Sequence, residues 1–259
     1  MITIKPTEHL VGINVQGDYY DFEGVVDAVH RLTGIWPEED YSDPYYASCN
    51  RLLGICYDIR HAYQGDRNIL VRDNGLNREV MKWHKLIMSE QTVYYSVNIL
   101  FPEALFVAST SEKLLEYAKR YYGKTGKKLK EKENWPIYHE YNQYVRDCAT
   151  IRNFVGQVWG ALGDVIGEVG LENVLNTQCS YESYTHYAAQ YIDEMDIALI
   201  KTKPEKRAGK LKTMAKRIIN PDYNYYQVHR EVAACAAEYG CSIHEVHDPK
   251  LEFPDEREW

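Results

Sequence analysis

The chain has 259 residues, 45% of them hydrophobic and 26% charged, with a formal net charge of −8. This composition is typical of a folded globular protein and excludes a collagen-like or wholly disordered chain. The sequence predicts no transmembrane helix, because no window of about 18 residues is free of charge, and no signal peptide, because the first residues lack a basic segment followed by an apolar run. We therefore expect a cytoplasmic protein whose six cysteines are reduced.

The first half alternates strand and helix signals. Residues 2–5 and 10–15 are short and β-branched, as are residues 68–73 and 92–101, and all four segments are predicted strands. Apolar residues at helical spacing predict helices over 19–33 and 47–64. After Pro102 we expect a further strand over 104–108 and a helix over 111–122. Residues 1–123 are thus predicted to form an α/β domain with a small mixed or antiparallel sheet.

The second half shows helical periodicity and no convincing strand. The basic, glycine-containing stretch 124–136 is predicted as an exposed linker. Residues 137–250 are predicted as an all-helical bundle of four helices, followed by an acidic tail over 251–259. The fold class expected for the whole chain is therefore α+β.

A long helix over 141–169 carries apolar residues three and four positions apart, which is a heptad-like pattern. It also has small residues at nearly regular spacing, which let another helix backbone approach closely. We expect this helix to pack tightly against a partner helix, either in this chain or in a second copy, which would make the protein a homo-oligomer. The small residues are Gly156, Gly160, Gly163 and Gly167.

The helix over 47–64 has a polar face that could form a small pocket. Asp58 precedes His61 by three residues, a spacing at which a carboxylate can orient an imidazole for acid–base catalysis. Tyr57 and Arg60 extend the candidate site. The alternative interpretation is a solvated face with local ion pairs. It is favoured because Asp and His occur at this spacing commonly by chance.

Two further groups contain metal-ligand residue types. His186, Gln190, Asp193, Glu194 and Asp196 lie close together on one predicted helix, and could bind a divalent cation, but a solvated acidic face is the favoured interpretation. Cys241, His244 and His247 suit zinc by type. Their spacing matches no common zinc site, so a small apolar cysteine with two surface histidines is favoured, and we predict no metal and no other cofactor.

A basic helix is the strongest charge feature. Between Lys201 and Arg217 there are eight Lys or Arg and one Glu, on a chain that is otherwise acidic. Such cations neutralise phosphates, and a nearby tyrosine can stack on an unpaired base. The partner would be nucleic acid or an acidic protein surface, and the alternative is docking on this chain's own acidic surface. The candidate binding residues are Lys206, Arg207, Lys210, Lys212, Lys216, Arg217 and Tyr225.

No P-loop, no GxGxxG after a strand and no GxSxG elbow is present. The leading hypothesis is therefore a non-enzymatic binding or accessory protein that uses the basic helix. An enzyme acting on a small or phosphorylated substrate near Asp58 and His61 is one alternative. A self-assembling structural subunit is the other.

Three stretches carry a resemblance: LGICYDIRHA at 53–62, Gly65-Asp66-Arg67, and VYYSVNILFPE at 93–103. Over about the first 120 residues they make the chain resemble an uncharacterised bacterial family, a domain of unknown function. The resemblance implies a bacterial or phage source and a mixed α/β N-terminal domain. It implies no activity and assigns no catalytic residue.

Overall fold

A computed structural model describes residues 1–33, 45–133, 139–177 and 189–259. Four strands form one antiparallel sheet in the order β1-β2-β4-β3. Their bounds agree closely with the four strands predicted from β-branched content. The strands are β1 (Thr3–Pro6), β2 (Gly12–Gly17), β3 (Asn68–Asp73) and β4 (Gln91–Leu100).

Helices make up most of the described chain and follow the sheet in the second half, which confirms the α+β fold class. A π turn (Ala62–Asp66) extends α2, and a 3-10 turn (Lys119–Tyr121) follows α4. The helices are α1 (Tyr19–Thr33), α2 (Tyr46–His61), α3 (Arg78–His84), α4 (Phe101–Ala118), α5 (Gly123–Glu133), α6 (Tyr141–Ile166), α7 (Glu168–Leu175), α8 (Ala189–Ile200), α9 (Pro204–Ile219) and α10 (Tyr223–Tyr239).

The sheet has one apolar and one polar face. Ile13 lies opposite Ile99 and Val15 opposite Val97, and all four side chains are buried against the helices. Because side chains alternate along a strand, the intervening residues point away from the core. On that outer face the Asn14 side-chain amide donates to Ser96 Oγ at 2.7 Å and to Asn98 Oδ1 at 2.6 Å.

The prediction of a strand over 104–108 is wrong. These residues belong to α4, which begins at Phe101 directly after β4. A short run of apolar residues does not distinguish a strand from a buried helix. Here Pro102 lies in the first turn of the helix, where proline is favoured. Helices α2, α6, α8 and α9 all contact α4, and burial on most sides explains why the run lacks a polar stripe.

Helix α6 packs inside this chain, against β1, α1 and α4. The predicted apolar positions Cys148, Ile151, Val158 and Leu162 are buried there. The glycines play a smaller part in that packing. A Cβ on Gly163 would lie 3.1 Å from a methyl group of Leu171, whereas Gly156 and Gly160 face open space.

The main apolar core contains residues from both predicted domains and runs across the boundary between them. The basic stretch expected as a linker is largely the helix α5. The division into two folding units stays a prediction, while the two halves share a continuous core.

The acidic tail returns to the sheet at its last residue. Trp259 packs on a small apolar cluster of Val11, Leu100 and Ile200. A Cβ on Gly12 would lie 2.1 Å from the carbonyl oxygen of Ile99 and 2.7 Å from the Trp259 ring. Only glycine fits at this position of β2.

Candidate functional site

On the polar face of α2, Asp58 and His61, which their spacing could place in contact, interact with other residues. Asp58 accepts a hydrogen bond from Arg67 Nη2 at 3.0 Å, and His61 Nδ1 instead lies 2.8 Å from Asp66 Oδ2. The Tyr57 ring packs on His61, with centroids 4.2 Å apart, and the Arg60 guanidinium carbon lies over the Tyr57 ring, 5.3 Å from its centroid. The four candidate residues of this face are neighbours on α2, but the Asp58 carboxylate forms an exposed ion pair with Arg67 and not with His61.

A cluster of charged side chains joins α2, α4 and α8, and the sequence did not reveal it. Arg51 of α2 donates to Asp193 Oδ1 at 2.7 Å and lies 3.7 Å from Glu103 Oε1. Asp196 of α8 is buried, and its Oδ1 has no hydrogen-bond partner. The cluster therefore holds three carboxyl groups and one guanidinium in a largely water-excluded place.

Burial is the main reason that two of these carboxyls titrate abnormally. Desolvation raises the pKa of Asp196 well above its ordinary value, with the charge of Glu103 adding to the effect. Desolvation also raises the pKa of Glu103, against the opposing attraction of Arg51. Arg51 can neutralise only one charge, so a second carboxylate so close to it is unfavourable.

We expect Asp196→Asn to stabilise the protein by about 1–2 kcal/mol at pH 7. A carboxyl whose pKa is raised by folding is protonated in both states below its unfolded pKa of about 4, and costs nothing there. As the pH rises above that value, ionisation favours the unfolded state and stability falls. Urea unfolding from pH 4 to pH 8 should show a smaller decline for the variant than for the wild type.

Asp193→Asn is the matched control, because it removes the carboxylate that Arg51 contacts directly. It should destabilise the protein at pH 7, opposite in sign to Asp196→Asn. Equal destabilisation by both substitutions would show that Asp196 is ionised and favourably paired in the folded state.

The acidic face of α8 was expected to be solvated, and this is wrong for its central residues. Asp196 lies four residues after Ile192 and four before Ile200, which puts it in line with the buried apolar positions. Gln190 is buried too and donates to the carbonyl oxygen of Val246 at 2.7 Å. Glu194 is partly buried, and His186 lies outside the described residues.

The candidate zinc ligands of the C-terminal segment do not assemble. Cys241 is a free, exposed cysteine, and the His244 ring packs on Tyr46 with centroids 4.7 Å apart. Within the described ranges, no group of three or more His, Cys, Asp and Glu side chains, His247 included, is placed to hold a metal ion.

Two of the predicted binding residues on or near the basic helix are buried. Arg207 lies in line with Leu211 and Met214 on the buried face of α9, and its guanidinium donates to the carbonyl oxygens of Thr202 and His9 at 2.8 and 2.7 Å. Tyr225 is 1% exposed. A residue so buried cannot contact a phosphate or stack on a base without a change in the fold.

Lys210 is also occupied within the chain. Its ammonium donates to the carbonyl oxygen of Ala198 and to Thr202 Oγ1, both at 2.9 Å. A cation at the C-terminus of a helix stabilises the helix dipole and its free carbonyls. Lys210 thus completes the end of α8, as Arg207 does through the carbonyl of Ile200.

The remaining cations of α9 lie at the surface. Lys206, Lys216 and Arg217 are exposed, and Lys212 is half-buried. Near the end of α7, Lys212, Lys216 and Arg217 border a cavity of about 310 Å³. Its lining residues are Thr177, Lys212, Thr213, Lys216, Arg217 and Asn220.

This lining contains three cations, two hydroxyls and one amide, and no carboxylate. Arg217 is the one cation of the three with a described ion pair, to Asp222 at 2.9 Å. Hydrogen-bond donors and positive charge are what an anionic oxygen group requires, and Asp222 neutralises only part of this charge, through Arg217. We call Lys212, Lys216 and Arg217, with their neighbours around this cavity, the α9 basic site.

No helix within the described ranges is both long and apolar enough to cross a bilayer. The fold and its surface define an α+β protein with a helical second half and a basic surface site. The chain belongs to a family described as a domain of unknown function, DUF6904, whose model matches residues 2–259. The match confirms the resemblance to an uncharacterised family and extends it from the first 120 residues to both halves. No curated protein and no solved structure matches the chain.

Proposed function

We propose that the protein is a binding protein for nucleic acid, whose phosphates contact the α9 basic site. The observation that carries the proposal is the cavity lined by Lys212, Lys216 and Arg217 without a carboxylate among its lining residues. The cavity is large enough to admit a phosphate group, and its position at the surface suits contact with a longer polyanion.

The charge of this surface is only partly neutralised within the chain. In the part of the chain that the structure describes, Lys206, Lys212 and Lys216 form no ion pair. Docking of α9 on the protein's own acidic surface would have engaged these side chains. Their availability supports a partner outside the chain.

Lysine and arginine contacts to phosphate release bound counterions, so such binding weakens steeply as salt increases. The negative net charge of the whole molecule opposes tight nonspecific binding of nucleic acid to the rest of the protein surface. We therefore expect a local contact of moderate, salt-dependent affinity.

The test is a fluorescence titration of short single- and double-stranded DNA and RNA at low and near-physiological salt. Replacing Lys212, Lys216 and Arg217 with Glu should weaken binding at low salt about tenfold or more. For duplex DNA, the slope of log affinity against log salt should fall in magnitude by about 2 to 3, since each phosphate contact contributes about 0.9.

A matched control carries the same change of charge on α5, where Lys124, Lys127 and Lys128 are exposed. Their replacement with Glu should leave most of the affinity, because the contact is local. An equal loss in both variants would indicate that only net charge matters. Binding of an acidic polypeptide but no nucleic acid would overturn the proposal in favour of an acidic protein partner.

Reversing two charges in the last turn of α9 also costs stability, up to about 1 kcal/mol. Urea unfolding of each variant shows whether a loss of binding is a loss of folded protein.

A further inference from the structure

A long hairpin of the protein projects beyond the core. We define the arm as residues 68–95, which contain β3, α3 and the first half of β4. No residue of the arm is buried. Its exposed apolar residues include Trp83, 83% exposed, and Ile87, fully exposed. The others are Ile69, Val71, Leu86, Met88 and Val93.

Part of this surface continues the apolar face of the sheet. Val93 and Tyr95 alternate in step with Val97 and Ile99 along β4, so they point to the same side as the core. Across the strand pair, Val71 lies opposite Val93 and Ile69 opposite Tyr95. The core-facing side of the sheet therefore extends into the arm, where the helices no longer cover it.

The outer edge of β3 is also free to pair with another strand. β3 is the last strand of the sheet and is hydrogen-bonded only to β4. Natural edge strands are commonly protected by proline, lysine or a bulge. β3 contains no proline or lysine and pairs in regular register with β4, and its charged residues, Arg72 and Asp73, lie at its C-terminal end. A two-stranded hairpin without a covering layer is at best marginally stable in water, so the arm needs a partner.

We propose that the partner is a second copy of this chain, and that the two β3 edges pair antiparallel across a twofold axis to join the two sheets into one. Such an interface is isologous, because the same surface of each copy contacts the other.

One register of this pairing is self-complementary. With Leu70 on the axis, Ile69 of each copy lies opposite Val71 of the other, on the apolar face. Arg67 then lies opposite Asp73, so unlike charges meet. If Val71 lay on the axis instead, Ile69 would lie opposite Asp73. If Arg72 lay on the axis, the two Arg72 side chains would lie opposite each other. Like charges directly opposite each other in a sheet are destabilising.

Two of the seven exposed apolar side chains of the arm, Ile69 and Val71, lie on the strand that would pair. Charged residues of both signs are interspersed along the arm, so the contact is not opposed by a local excess of one charge.

Analytical ultracentrifugation of the full chain at micromolar concentrations tests the proposal. The wild type should sediment as a dimer. Leu70→Asp should sediment as a monomer, with the dissociation constant of the dimer raised about tenfold or more, because two carboxylates would meet on the axis. Leu70 lies on the polar face of the sheet, opposite Tyr94 and only partly buried, so the monomer should tolerate aspartate there.

A cysteine pair gives the positive counterpart. In a background with Cys179→Ser, Cys235→Ser and Cys241→Ser, Leu70→Cys should form an intermolecular disulfide on mild oxidation, since directly opposite Cα atoms lie within about 5.5 Å. Arg72→Cys is the control. In the proposed register its two copies are four residues apart along the strands, about 13 Å, too far for a disulfide.

The outcomes separate the arm from the other candidate surface for self-association. Gly160→Leu, at a position of α6 that faces open space, should leave the dimer intact. A wild-type monomer throughout the concentration range would overturn the proposal. So would equal crosslinking of the two cysteine variants, or a dimer that Gly160→Leu dissociates and Leu70→Asp does not.

Discussion

Replacing Asp147 with asparagine is expected to lower the free energy of unfolding by about 3 kcal/mol. Asp147 is buried in α6. Its two carboxylate oxygens accept hydrogen bonds from four donor atoms that belong to three other side chains. Arg31 of α1 donates from Nε at 3.0 Å and from Nη2 at 2.9 Å. The Tyr122 hydroxyl donates at 3.0 Å and the Gln143 amide at 2.9 Å.

Asparagine keeps the shape of the side chain but replaces one acceptor oxygen with an amide NH2 group, which cannot accept the hydrogen bonds that this oxygen receives. The guanidinium of Arg31 would also lose the charge that neutralises it, and its pKa is raised chiefly by this hydrogen bond. Breaking a buried pair by removing one partner leaves an uncompensated charge. Urea unfolding should show a lower midpoint with an unchanged slope.

Asp27 provides a control on the same arginine. It lies 3.4 Å from Arg31 Nη1, but its side chain is 58% exposed. Exposed ion pairs contribute little, so Asp27→Asn should cost no more than about 0.5 kcal/mol. Equal losses from the two substitutions would mean that burial does not govern the strength of this pair.

The second large effect is expected at Arg207, where alanine should cost about 3–4 kcal/mol. The Arg207 guanidinium donates to carbonyl oxygens of Ile200 and Thr202 near the end of α8, and to that of His9 in the turn after β1. It also reaches the carbonyl of Glu258 at 3.4 Å. Alanine would leave several buried acceptors without donors.

Lysine at position 207 should lose about 1–2 kcal/mol, because an ammonium lacks the fixed fork of donors that reaches several carbonyls together. Lys206→Ala is the neighbouring control, and as an exposed change it should stay within about 0.5 kcal/mol. Thermal and urea unfolding measure all three variants. A wild-type stability for Arg207→Ala would show that water replaces the guanidinium at these carbonyls.

The helix and strand patterns in this sequence were informative because most elements bury a regular apolar stripe. The bounds of α1 agree with the helix predicted over 19–33 from apolar spacing, and α9 spans most of the predicted basic helix. The pattern failed at α4, where burial on nearly all sides removes the periodicity that separates a helix from a strand.

The errors at the candidate sites have a common physical cause. Asp196 and Arg207 each lie in line with the apolar stripe of a helix, and each is buried. A charged side chain in a sequence suggests solvent exposure. In these two helices, however, the position of the residue within the apolar stripe determines that its side chain is buried. Which partner compensates each charge depends on residues distant in sequence, such as Arg51 for the carboxyls of α8, and no local pattern contains that information.

The exposed part of the basic helix was predictable for the opposite reason. Lys206, Lys212 and Lys216 lie off the buried stripe, and residues off the stripe of a surface helix reach solvent. The arm could not be predicted, because its strands have the same β-branched content as the buried strands. Only the assembled sheet shows that the helices end before they cover it.

The uninterrupted path from β4 to α4 has a consequence for local unfolding. The strand ends at Leu100 and the helix begins at the next residue, so no loop separates the arm from the core. Backbone amides of residues 91–95 can exchange their hydrogens when the arm opens alone, whereas those from Ser96 onward belong to the buried sheet. Strand β4 thus belongs to two cooperative units, the arm and the buried sheet. Its amides before Ser96 exchange with deuterium when the arm opens, and those from Ser96 onward exchange only when the buried sheet opens.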